Sequence, residues 1–61
     1  MFEVGQRVRV KRVFANLPGD HDIYKTVGKE GEFIGMEGSL YEVLVDGTPF
    51  YYYHEELEAV E

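Results

Sequence analysis

The chain has 61 residues, no cysteine and a formal charge of −6, with 44% hydrophobic and 30% charged residues and nine aromatics, five Tyr and four Phe. That size allows one thin-cored domain, residues 1–61, and the composition excludes disulfide staples, thiolate metal sites and wholesale disorder. No apolar run approaches the ~18 residues of a membrane span, and the N-terminus has no signal-peptide core, so a cytoplasmic protein is expected.

Phe2 and Val4 are candidate apolar anchors ahead of the first periodic stretch. From Gln6 to Phe14 the residues alternate, with Val8 and Val10 on one side and Arg7, Arg9 and Lys11 on the other. This period of two is the mark of a half-buried strand with a cationic outer stripe. Between Ala15 and Thr26 the alternation breaks at Asn16, Pro18-Gly19 and Asp20-His21-Asp22, all turn formers. The segment from Phe14 to Lys25 therefore reads as a long loop, with Ile23 and Tyr24 available to pin it down.

A second strand is expected over Lys29–Met36, with Gly28 before it and Gly31 within it, which permit unusual backbone angles or a close strand approach. Gly35 and Gly38 allow a kink and a turn. Leu40–Val45 reads as the third strand, with Tyr41, Val43 and Val45 facing inward. Asp46-Gly47 is among the strongest short hairpin signals, and the chain then returns through Phe50–Tyr53 as a fourth strand. His54-Glu55-Glu56-Leu57 suits one 3₁₀ turn, and Leu57–Val60 a short last strand. Five short strands with glycine-rich turns imply an all-β, closed or nearly closed small barrel.

The charge is divided unevenly along the chain. Residues 1–30 hold all six cations against four acids, a balance of +2, whereas residues 31–61 hold eight acids and no Lys or Arg. Such a split marks either a dipolar surface with distinct binding faces or two halves that pair with each other across the sheet.

The segments GQRVRV, VGKEGEF, YEVLVDG and YYHEELEAV together resemble SH3-like barrels, more narrowly their KOW-like branch. In that resemblance Tyr52 is the aromatic that precedes an acidic 3₁₀ turn and Leu57 the buried aliphatic five residues later. The likeness covers nearly the whole chain except the Phe14–Lys25 loop, and extends to small uncharacterised SH3-like proteins encoded by bacteriophages and prophages. It implies a five-stranded barrel with a 3₁₀ turn before the last strand. For a phage-like protein it implies a partner that is a host enzyme or a transcription component. Proteins of this superfold bind RNA, DNA, peptides or larger enzymes, so the likeness specifies fold better than function.

Catalysis has little material to work with. Ser39 is the only serine, and the carboxylates beside His21 and His54 match no metal or hydrolase spacing. Neither an enzyme activity, a cofactor nor a metal site is expected. The aromatic run Phe50-Tyr51-Tyr52-Tyr53 is more informative: with Phe50 and Tyr52 inward, Tyr51 and Tyr53 share the outer face. Together with Phe14 and Tyr24, which flank the long loop, they form a candidate protein-binding surface. The alternative is RNA or DNA binding along Arg7, Arg9 and Lys11, extended by Lys25 and Lys29. A third outcome is weak homo-oligomerisation through the same tyrosines and the outward apolar strand residues Ile34 and Leu44; otherwise the chain is a monomer.

Overall fold

A computed structural model describes residues 2–14 and 21–60, with only the backbone of His21. The turn expected at Asn16, Pro18-Gly19 and Asp20 lies outside the described residues. Five strands follow in chain order: β1 (Arg7–Val10), β2 (Glu30–Glu37), β3 (Leu40–Val45), β4 (Thr48–Tyr52) and β5 (Leu57–Ala59). Every pairing is antiparallel, and the strands form one sheet in the order β4-β3-β2-β1-β5. No α-helix occurs among the described residues. The expected closure is corrected here, because β4 and β5 end the sheet without pairing with each other.

The alternation read from the sequence decides which side chains are buried. Val8 and Val10 of β1 and Tyr41, Val43 and Val45 of β3 face one core with Ile23, Phe33, Tyr52 and Leu57. Phe2, Val13 and Phe50 pack against its rim. The ring of Phe2 contacts those of Phe33, Tyr41 and His54 at centroid distances of 5.6–6.1 Å, so Phe2 is the anchor expected of it. Val4 is not an anchor: it is 73% exposed.

Two turns are set by local chemistry. Val45 pairs with Thr48 across Asp46-Gly47, whose φ values of 52° and 80° place both residues in the left-handed region. That is the two-residue hairpin turn whose twist matches that of the strands. Gly31 answers to a different constraint. A Cβ there would lie 2.3 Å from the Leu44 carbonyl oxygen and 2.8 Å from a Val43 methyl group. The β3 backbone thus passes too close to β2 at this point for any side chain.

Three segments differ from expectation, and of these β4 runs over Thr48–Tyr52 rather than Phe50–Tyr53. Strand β1 ends at Val10 rather than Phe14. The Lys11 amide still donates to the Glu56 carbonyl at 2.7 Å, but the Phe14 amide goes to a side chain instead of a strand. Within the expected loop, His21–Thr26 forms a six-residue 3₁₀ helix, η1. It is held from inside: Thr26 Oγ1 donates to the Ile23 carbonyl at 2.6 Å and lies 2.7 Å from the Tyr52 hydroxyl. A buried hydroxyl pair of this kind supplies the tertiary support that turn-forming residues lack on their own. The second 3₁₀ turn, η2 (His54–Glu56), lies where it was expected.

Candidate interaction surface

Strand β4 presents its two faces differently. Tyr52 is fully buried, whereas Tyr51 and Tyr53 on either side of it are 43% and 47% exposed. Tyr51 lies opposite Glu42 of β3, and its hydroxyl donates to Glu42 Oε2 over a long 3.4 Å. Glu42 foremost, then partial desolvation and the charge of Glu37, push the Tyr51 pKa above its ordinary value. The reason is that a tyrosinate would face carboxylates without a cation to offset them.

Phe14 and Tyr53 are 42 and 3 residues from Glu56 in sequence, yet both are tied to its carboxylate. Glu56 Oε2 accepts the Phe14 amide at 2.5 Å, and Oε1 accepts the Tyr53 amide at 2.6 Å. Glu56 itself is 1% exposed. A carboxylate can be buried only if strong donors replace its water, and two short charge-assisted bonds meet that need. The Glu56 amide also donates back to the Tyr53 carbonyl at 3.0 Å, which fixes the entry to η2.

The four aromatic residues expected to bind a partner are all exposed, with Phe14 at 53% and Tyr24 at 41%. Phe14 and Tyr53 start from a shared anchor, and Tyr51 follows on the same side of the chain as Tyr53. Tyr24 belongs to η1, which is bonded to β4 through the inward-pointing Tyr52.

The cations expected to track a phosphate backbone are largely occupied. Arg9 donates to Glu30 Oε2 at 3.0 Å and lies 3.5 Å from Glu58, while Arg7 lies 3.7 Å from Glu30. The hydrogen bond to Glu30 is the foremost cause that raises the Arg9 pKa further. Lys29 reaches Asp46 at 2.7 Å and Lys25 reaches Asp22 at 3.7 Å. Of the five, Lys11 alone makes no ion pair among the described residues. Register places Arg7 and Arg9 beside Glu30, Glu32 and Glu58, two cations among three carboxylates. The two halves of the chain do pair across the sheet at Arg9–Glu58 and Lys29–Asp46, but Glu30 and Asp22 come from the basic half itself.

Sequence reasoning missed Glu56, which reads as one more solvated acid in a polar turn. A signal was present, since a Glu three residues after the residue that opens a helix often reaches back to that residue's amide. It also missed Glu30 as the residue shared by Arg7 and Arg9. The Asp20-His21-Asp22 triplet lies mostly outside the described residues. Among the described residues no group of three His, Cys, Asp or Glu has a metal-holding arrangement. No helix among them is long and apolar enough to cross a membrane. Compared with protein-family models and with curated proteins, the chain matches none.

Proposed function

We propose that this chain is a non-catalytic SH3-like barrel of the KOW-like branch that binds another protein through Phe14, Tyr53 and Tyr51. Tyr24 and the Phe14–Lys25 loop belong to the same proposed surface. The observation that carries the reading is the Glu56 clamp, which holds the backbones of Phe14 and Tyr53 together while both rings remain exposed. Rigid, exposed aromatic side chains give large contact area at little entropic cost, which is why they anchor interfaces. The strand order, with β5 beside β1 and a 3₁₀ turn between β4 and β5, supports the SH3-like assignment.

The partner we propose is a host enzyme or a transcription component, and the protein a phage-encoded modulator or inhibitor of it in the cytoplasm. The exposed acids after Glu30, namely Glu32, Glu37, Asp46 and Glu55, favour a basic partner surface, including a groove that otherwise holds nucleic acid. Direct RNA or DNA binding is the weaker reading, because Arg7, Arg9, Lys25 and Lys29 each already face a carboxylate.

A photo-crosslinking residue at position 53, compared with one at position 7, tests the proposal in bacterial lysate. A discrete protein adduct is expected at 53 only, lost on Phe14→Ala. A ¹⁵N NMR titration with mixed RNA and DNA oligonucleotides at low salt is expected to be silent. Shifts concentrated at Arg7, Arg9 and Lys11, and reversed by salt, would replace the protein-binding reading with the nucleic-acid one.

A further inference from the structure

We infer that the edge of β4, which no other strand pairs with among the described residues and which is centred on Tyr51, takes up an extended cationic segment of a partner protein as an added strand. This rests on the protein-binding reading and specifies the partner's chemistry. The two-residue turn makes Val45 and Thr48 an exchanging pair, so Val43–Phe50 and Tyr41–Tyr52 exchange hydrogen bonds as well. Pro49 and Tyr51 fall between these pairs and direct their backbone groups away from β3. Proline in β4 thus costs the sheet no hydrogen bond. The edge offers one donor, the Tyr51 amide, and two acceptors, the carbonyls of Pro49 and Tyr51.

Its limits are visible on both sides. At Pro49 the donor is missing, and beyond Tyr51 the Tyr53 amide is already held by Glu56. An incoming residue opposite Tyr51 exchanges two bonds, and the residue two positions on donates a third to Pro49. Strand addition of this kind takes affinity from the main chain and selectivity from alternate side chains.

Those side chains would meet two different surfaces. Toward the outer face lie Tyr51, Glu42 and Glu37, and neither glutamate makes an ion pair among the described residues. On the inner side, Phe50, Val45 and Thr48 line a groove of about 210 Å³ together with Asp22, Lys25 and Thr26 of η1 and the Lys29–Asp46 ion pair. A segment alternating Lys or Arg with an aliphatic residue matches both. A second copy matches neither well: its own β4, Thr-Pro-Phe-Tyr-Tyr, has no cation, and each copy carries −6.

The test uses the whole chain and a capped heptapeptide alternating Lys and Val. Two further versions carry N-methyl groups on one or the other set of alternate amides, and a Glu-Val heptapeptide serves as control. The Tyr51 amide proton should move downfield, with hydrogen exchange slowed at least about tenfold at saturation. One N-methylated version should lose about tenfold or more in affinity and the other little, and the Glu-Val peptide should not bind. Equal binding by both N-methylated versions, shifts centred on Arg7 and Glu58, or no Tyr51 shift at about 1 mM peptide would overturn the inference. So would Tyr51 protection that rises with protein concentration alone, since the edge would then belong to a second copy. A Tyr53 crosslink that persists beside a silent Tyr51 amide removes the edge inference and leaves the protein-binding reading intact.

Discussion

Phe14 and Tyr53, 39 positions apart in the chain, donate their backbone amides to the two oxygens of a single buried carboxylate, Glu56. This contact joins the segment after β1 to the start of η2, and it sets where the candidate surface begins.

Removing one acceptor from that carboxylate tests its weight. Glu56→Gln keeps the shape but turns one oxygen into a donor facing a donor. A loss of about 1–3 kcal/mol in urea unfolding is expected, with faster hydrogen exchange at the Phe14 and Tyr53 amides. Unchanged exchange at both amides would show that the clamp does not hold them.

Gly31 has no room for a methyl group. Because the obstacle is the Leu44 carbonyl at 2.3 Å, a backbone atom, the strand itself must shift to admit Gly31→Ala. The expected cost is at or above the usual ~1–3 kcal/mol of overpacking, read from denaturant midpoints. A stability within about 0.5 kcal/mol of the parent would mean that β2 and β3 separate easily.

The Thr26–Tyr52 hydroxyl pair should act as a unit. Tyr52→Phe and Thr26→Val, singly and together, form a double-mutant cycle. A coupling of about 0.5–1.5 kcal/mol is expected if the bond holds η1 to the sheet, and additivity if it does not.

Tyr51 gives an alkaline signature whose sign follows from its neighbours. Its pKa in the folded chain is raised from 10.0 by Glu42 foremost. A raised folded value contributes stability that is complete below the unfolded pKa and is lost as pH rises through the folded one. Absorbance titration, with Tyr51→Phe as the reference, should therefore show a tyrosine that ionises late. Glu42→Gln should bring it back toward the ordinary value. A Tyr51 transition that ignores the Glu42 substitution would remove the acidic outer face from the picture.

Much of the fold was legible because it follows from local rules. Alternation marks Val8, Val10, Tyr41, Val43 and Val45 for burial without reference to the rest of the chain, and Asp46-Gly47 carries its own turn geometry. Leu40–Val45 has the expected bounds. What escaped depends on distant partners. Glu56 is buried because amides 42 and 3 residues away converge on it. Residues His21–Thr26 coil because Tyr52 offers Thr26 a hydroxyl. The exposure of Tyr51 and Tyr53 was legible from alternation, whereas the pairing of Arg7 and Arg9 with Glu30 required the β1–β2 register.

The place of β5 in the sheet has a consequence for how the molecule is made. Strands β2, β3 and β4 neighbour one another both in sequence and in the sheet, but β1 finds its second partner only in residues 57–59. During synthesis the first strand leaves the ribosome long before the strand that covers its open edge. Until Leu57 follows, Val8 and Val10 have β2 on one side and solvent on the other. A truncation before Leu57 fixes the chain permanently in that half-covered condition, with an apolar strand edge available to any neighbour.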